Sequence, residues 1–300
     1  MILGAGKTGS RSGQAAATLD GLLRRAAASR PDAPALADAA NRQALIGGAP
    51  RQLSWSGLDS LVDRLAAQLR ELGLQPDAVV ATQFPLSSEA VVALLAIARA
   101  GLIAAPLPLG WGRREAVAHL KTVGARAILT CGRAGPVECA DIMRFAAAEV
   151  FSIRHVLSLG EPPLDGVVSL DTVFTDAGPV DPGETARSGE PAHHVLLVTA
   201  DADATGHLAV ARSHAELAAG GLAAFMTLVP DEASVIAATL APDSFAGIAL
   251  QVVPWLMSGG RLILHPPFAP RIFAGRLAVD GVTHAVLPAA FGACLAGADA

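Results

Sequence analysis

Apolar residues in this chain recur at two periods, and the switches between them lay out an alternation of helix and strand. Leu19, Leu22, Leu23 and Ala26 fall at helical spacing and stop before Pro31, which predicts an opening helix. Leu58, Leu61, Val62, Leu65, Leu69 and Leu72 repeat at three and four over a longer stretch, with Ser54 or Ser56 able to cap its start and Gly73 to close it. A strand is then expected over 78–84. A helix over 89–100 follows the Ser87-Ser88 cap and ends at Gly101. A strand over 102–105, a helix over 113–123 and a strand over 125–130 come next. Short connections between alternating strands and helices are the pattern of a parallel sheet covered by helices.

Residues 160–191 break that pattern. Glu161, Asp165, Asp171, Asp176, Asp181, Glu184 and Glu190 face a single Arg187 among five prolines, with one short apolar stretch over 167–170. This reads as a solvated acidic connector. Beyond it, 195–199 reads as a strand, and Ser213-His214-Ala215-Glu216 is a capping-box pattern opening a helix to about residue 222. Segments 235–240, 248–256 and 261–264 continue the alternation. The expected organisation is a flexible tail over 1–17, a first α/β subdomain over 18–159, the connector over 160–191 and a second α/β subdomain over 192–300.

Composition narrows the function class. Hydrophobic residues make up 52% of the 300 positions and charged residues 16%, which is globular and not disordered. A net charge of −5 without any basic block argues against a nucleic-acid surface. The three cysteines, Cys131, Cys139 and Cys294, have no disulfide-framework or zinc spacing, so a reducing, cytoplasmic setting is expected. The most apolar window, 90–109, contains Arg99, Gly101, Pro106 and Pro108, and is read as a buried helix and strand, not a membrane span.

Two segments invite a phosphate-binding reading. Gly4-Ala5-Gly6-Lys7-Thr8 lacks the glycine five places before Gly6, where Met1 stands, and leaves no room for a preceding strand; a flexible tail is expected there. Over 196–214 an apolar run enters a small-residue turn that hands over to a helix. Phosphate loops use backbone N–H groups of small residues, with hydroxyls as extra donors. The candidates are Thr199, Asp201, Asp203, Thr205, Gly206 and His207. An ordinary strand–turn–helix connection has the same local pattern.

The wider sequence resembles the adenylate-forming superfamily, which includes acyl-CoA synthetases, luciferases and peptide-synthetase adenylation domains. The resemblance starts at Leu53-Ser54-Trp55-Ser56-Gly57-Leu58-Asp59 and continues through Leu72-Gly73-Leu74-Gln75-Pro76-Asp77. It runs on over 88–101 and at Ala105-Pro106-Leu107-Pro108. It resumes at Trp255-Leu256-Met257-Ser258-Gly259-Gly260-Arg261 and at Val282-Thr283-His284. The resemblance implies stacked parallel-sheet subdomains like the large N-terminal domain of acyl-CoA synthetases, with the second subdomain incomplete and the C-terminal domain absent. It implies ATP, Mg²⁺ and coenzyme A as cofactors and a small carboxylic acid as substrate, activated as an acyl-adenylate and then passed to a thiol. The family's loop reads roughly Thr-Ser-Gly-Thr-Thr-Gly-x-Pro-Lys-Gly. Here Thr199, Thr205, Gly206 and the downstream Ser213-His214 are kept, while aspartates enter and Pro-Lys-Gly is replaced within His207-Leu208-Ala209-Val210.

Loss of the lysine removes a charge-assisted contact of roughly 1.5–3 kcal/mol. An aspartate about 4 Å from a phosphate repels it by roughly 4 kcal/mol at an effective dielectric of about 20. Asp201 or Asp203 reaching a nucleotide-borne Mg²⁺, or His207 or Arg212 replacing the lost charge, are the possible rescues. In Pro242-Asp243-Ser244-Phe245 the resemblance places Asp243 and Phe245 on the substrate pocket; a loop in which Asp243 caps the next helix is the plain alternative. His284 is expected to serve packing, and His193-His194 to be solvated. The family's later motifs would fall beyond Ala300. The expectation is therefore a truncated ligase impaired on its own, or a non-catalytic ligand- or partner-binding module. A complementing C-terminal fragment or self-association is the expected partner.

Overall fold

A computed structural model describes residues 18–160, 164–176, 178–183, 187–203, 206–266 and 269–296. The Gly4–Thr8 segment lies outside the described residues. In chain order the elements are α1 (Leu19–Ser29), β1 (Pro34–Asp38), α2 (Gln43–Ile46), β2 (Gln52–Ser54), α3 (Trp55–Glu71), β3 (Val79–Gln83), α4 (Ser88–Arg99), β4 (Ile103–Pro106) and α5 (Arg113–Val123). Then come β5 (Ala127–Thr130), α6 (Cys139–Ala147), β6 (His155–Ser158), β7 (Val168–Ser169), α7 (Thr172–Thr175), β8 (Val195–Asp203), β9 (Gly206–Ser213) and α8 (His214–Leu228). The last are β10 (Val235–Ala238), α9 (Val253–Ser258), β11 (Arg261–Leu264), α10 (Pro270–Val279), β12 (His284–Val286) and α11 (Ala289–Ala296).

The strands form two sheets. One has seven strands in the order β7-β6-β5-β3-β4-β8-β9, parallel except for the β8–β9 hairpin. The other has five in the order β12-β10-β11-β1-β2, parallel except for β2. This is the expected α/β class with parallel sheets. Sheet membership crosses the acidic connector in both directions: β1 and β2 complete the sheet of β10–β12, while β8 and β9 extend the sheet of β3–β7. Short strands such as Pro34-Ala35-Leu36-Ala37-Asp38 carry too little periodicity to announce a partner more than two hundred residues away.

The sheets share the helical layer between them. Nearly every residue of α4 is buried, and it touches β4 of one sheet and β1 of the other, so its sequence is apolar all round. Ser54, Ser87 and Ser213 cap α3, α4 and α8 by accepting backbone N–H bonds. Charges lock the layer where helices meet. Arg99, 1% exposed at its side chain, is paired with Asp20, Asp59 and Asp63 from α1 and α3. The fully buried Glu89 receives both Arg42 and Arg51. Burial alone raises a carboxyl's pKa, but the two guanidiniums outweigh it and hold Glu89 below its ordinary value. Trp55 stacks on Trp255 with centroids 5.0 Å apart, joining the start of α3 to α9.

One expected shape is corrected. The small-residue turn over 196–214 does not hand over to a helix. Residues 206–213 form an eight-residue strand first, so the element is strand–turn–strand–helix. Val210-Ala211 continues the hairpin because β9 returns along β8 before the Ser213–Glu216 capping box starts α8. That helix runs to Leu228, farther than expected. Helix α6 and strands β1, β2 and β6 were not legible from spacing.

Candidate functional site

The β8–β9 hairpin projects from the edge of the seven-stranded sheet, tied to β4 at Ala104 and Leu197. Its ladder runs from Val195 opposite Ser213, through a register shift before Leu197, to Asp203 opposite Gly206. Backbone N–H groups that face across such a ladder are consumed by it, so the hairpin offers fewer donors to a phosphate than an open loop does. Gly206 takes φ 138°, a backbone state only glycine adopts easily. Thr205 lies outside the described residues, and of Asp203 only the backbone is described.

Alternation along the strands sorts the candidates onto two faces. Leu197, Thr199 and Asp201 share one face with their cross-strand partners Arg212, Val210 and Leu208. There the Thr199 hydroxyl donates to Asp201 Oδ1 at 2.7 Å, and Arg212 Nη2 donates to Asp201 Oδ2 at 2.8 Å. The Arg212 guanidinium lies 5.0 Å from the Phe245 ring centroid. His207, opposite Ala202, is on the other face, where its ring packs 4.7 Å from Trp111 in the loop before α5. Trp111 also meets His119 edge-on at 5.3 Å. Burial, then the neighbouring His207, lowers the pKa of His119 and favours its neutral form. His207 is thus held by α5 and separated from Asp201 by the sheet itself.

Asp243 and Phe245 are also separated. Asp243 lines a narrow apolar pocket of about 30 Å³ with Thr82, Phe84, Val91, Leu94 and Leu197. The pocket opens at the carboxyl ends of β3 and β4, between α4 and Leu197 of β8. Asp243 is the single charged group among its lining residues, and burial raises its pKa. The plain alternative for Asp243 does not hold, because Ser244 makes the cap by accepting from Gly247 N at 3.0 Å. Phe245 packs outside this pocket, between Arg212 and Gly220, where a Cβ would stand 2.6 Å from its Cζ. Sequence reasoning missed the wall of Thr82, Phe84, Val91 and Leu94. Thr82 and Phe84 stand at the end of β3, where the strand's carboxyl end is the signal that could have found them, while Val91 and Leu94 lie within α4 and carry no such signal.

Three further histidines are accounted for by local contacts. His284 bonds the Leu228 carbonyl at 2.9 Å and the Thr283 hydroxyl at 2.8 Å, the packing role expected of it. His193 is exposed but lies 3.6 Å from Glu190, an acidic neighbour the spacing did not reveal. His214, at the start of α8, is buried and accepts the Leu19 N–H at Nδ1 across 3.3 Å. Burial first, then Arg187 and His194, lowers its pKa to about 4.

Among the described residues no three His, Cys, Asp or Glu side chains come together as a metal site. Among the described side chains of the hairpin, the Arg212 guanidinium and the Thr199 hydroxyl are both turned onto Asp201. Among the described residues no helix is long and apolar enough to cross a membrane.

Comparison with known proteins gives a consistent result. The pattern of the AMP-binding enzyme family matches residues 23–300. The salicyl-AMP ligase / salicyl-S-ArCP synthetase of Mycobacterium tuberculosis is 35% identical over 184 residues, 61% of this chain and 31% of that protein. The oxalate–CoA ligase of Arabidopsis thaliana is 32% identical over 165 residues, 53% of this chain and 29% of that protein. This chain therefore spans less than a third of the length of these relatives. Among solved structures, MbtA of Mycobacterium smegmatis superimposes with a TM-score of 0.79 at 24% identity, covering 94% of this chain and 50% of that one. A putative long-chain-fatty-acid CoA ligase of Rhodopseudomonas palustris superimposes with 0.78 at 18% identity, covering 93% and 65%. Both likenesses show the fold. With two parallel sheets sharing a helical layer, a hairpin at the sheet edge and a family match over 23–300, the chain belongs to the AMP-binding, adenylate-forming enzyme family.

Proposed function

We propose that this chain is the acid-recognising part of an ATP-dependent carboxylic acid ligase of the acyl-CoA synthetase type, and that alone it is impaired in adenylation. The observation that carries the reading is the pocket at the β3–β4 ends, with Asp243 as its one charged lining residue. Widened by side-chain movement, an apolar site of this kind suits a small, largely apolar acid, with Asp243 meeting a hydrogen-bond donor on it. In the family reaction the carboxylate attacks the α-phosphorus of ATP carried with Mg²⁺, and coenzyme A then takes the acyl group. Those steps depend on positioning and on charge neutralisation. The closed Thr199–Asp201–Arg212 cluster supports weak phosphate handling. A complementing segment supplying the remaining family motifs is part of this proposal, as is a cytoplasmic setting.

ATP–pyrophosphate exchange over a panel of short, aromatic and amino-bearing acids tests it. Exchange at a small fraction of the rate of intact family members, favouring acids with a donor near the acyl group and losing that preference in Asp243→Ala, is the expected outcome. Exchange at the rate of intact members refutes the impairment, and no acid dependence in either exchange or binding refutes the acid reading.

A second reading, a non-catalytic module that binds an acyl ligand or partner, is favoured by the zipped hairpin. It predicts acyl-ligand binding that Mg²⁺–ATP does not change. Calorimetry with each ligand alone and together separates the two readings.

A further inference from the structure

We propose that Asp201 is an internal anion lock: its carboxylate takes the place of a phosphoanhydride oxygen in a site formed by Thr199 and Arg212. The site would take inorganic pyrophosphate or the phosphoanhydride end of a nucleoside triphosphate. The proposal rests on reading the β8–β9 hairpin as the phosphate-facing element, and it goes further by naming the residue that closes it.

The two groups that bind Asp201 are of the kind a phosphate needs. A hydroxyl donates to one carboxylate oxygen at 2.7 Å, and a guanidinium nitrogen donates to the other at 2.8 Å. Arginine's planar fork suits phosphate as well as carboxylate. Thr199 is 1% exposed on a paired strand, and its hydroxyl also reaches the Val210 carbonyl at 3.4 Å. Arg212 is backed by the Phe245 ring, which the absence of a side chain at Gly220 admits. The other nearby carboxylate, Glu216, is engaged by the Ser213 backbone N–H and hydroxyl in the capping box. Asp201 is therefore the carboxylate paired with Arg212.

The lock is displaceable. The Asp201 and Arg212 side chains are 40% and 27% exposed, and an ion pair that meets water is weak. A carboxylate that swings aside yet stays within about 5 Å of an incoming phosphate still weakens its binding by about tenfold or more. Removing the charge, and keeping Thr199 and Arg212, should open the site.

Calorimetric titration with inorganic pyrophosphate, without divalent metal, on the full 300-residue chain and on Asp201→Asn and Asp201→Ala is the test. Affinity is expected to rise by about tenfold in each variant. The gain should vanish when Arg212→Gln is added to Asp201→Asn, and shrink when Thr199→Val is added. Asp201→Asn is close to isosteric, so it decides the matter if the alanine variant melts early. Unchanged or weaker pyrophosphate binding in a variant that melts like the parent overturns the lock, as does a gain that persists without Arg212. An acyl-sulfamoyl adenosine, which has no phosphoanhydride, reports separately on acid activation. If the parent binds it while Asp201→Asn gains nothing for pyrophosphate, the lock fails and the functional reading stands. If no adenylate analogue binds while pyrophosphate affinity rises, the lock stands and the functional reading fails.

Discussion

Burial decides what His214 can do. Its Nδ1 accepts the Leu19 N–H, so that nitrogen must be unprotonated in the folded chain. Its pKa falls from the ordinary 6.5 to about 4, chiefly through burial. In the unfolded chain the imidazole takes up a proton near its ordinary pKa, while the folded one resists until about pH 4. The stabilising contribution is therefore whole above about pH 6.5, and it is lost as pH falls toward 4. Across that window the loss comes to about 3 kcal/mol. His119 and His265, also lowered by burial, act in the same direction. Urea melts at stepped pH should show this decline, and His214→Gln should remove the larger part of the slope. A slope unchanged by that substitution would mean that the Leu19–His214 contact does not set the acid limit. Nothing in the Ser213-His214 dipeptide itself announces this role, because the partner N–H is 195 residues away.

Helix α8 shows how one element answers to both local and distant constraints. Its start is written locally, since Ser213 and Glu216 cap each other's backbone as their spacing predicts. Its middle is set by packing: a Cβ at Gly221 would lie 2.3 Å from Val253 Cγ1 and 2.8 Å from the Ala249 carbonyl. That close approach seats the helical turns over 248–258 against α8. Its end is strained, because Val229 takes φ 48° and ψ 47° where glycine is usual. A β-branched side chain in that region costs about 1–2 kcal/mol, and this one is exposed, so its packing returns little. Val229→Gly should raise stability by about 1 kcal/mol. A melting midpoint that falls, or does not move, would show that the side chain contributes more than its exposure implies.

At the scale of the whole molecule, apolar surface is left uncovered on one side. Leu222, Met226 and Val229 recur along one face of α8 and are 46%, 68% and 74% exposed. Val279 at the end of α10 is exposed as well. Beside them β12, only three residues long, pairs with β10 alone among the described strands. Apolar patches and open strand edges promote association. The 300-residue chain should therefore elute as concentration-dependent oligomers in size-exclusion chromatography, and Leu222→Lys with Met226→Lys should shift it toward monomer. A sharp monomer at all concentrations in the parent chain would contradict this.

The sequence by itself determined the α/β class, because strand and helix periods are local and alternate cleanly from β3 to β5. It also determined the serine caps, and the family through an ordered set of short motifs. Asp201 and Arg212 were legible as candidates, but as opposing possibilities: one repelling a phosphate, the other replacing the lost lysine. Only the tertiary structure decided that they neutralise each other, since that contact depends on β9 returning along β8 and bringing residues eleven apart onto one face. Likewise, proximity in sequence joined Asp243 to Phe245, while folding sent one into the pocket and the other against Arg212. The division of strands between the sheets was the least legible feature. Pairing between β1 and β11 is a choice among distant partners of similar composition, settled by burial of the shared helical layer and not by any residue in the strands themselves.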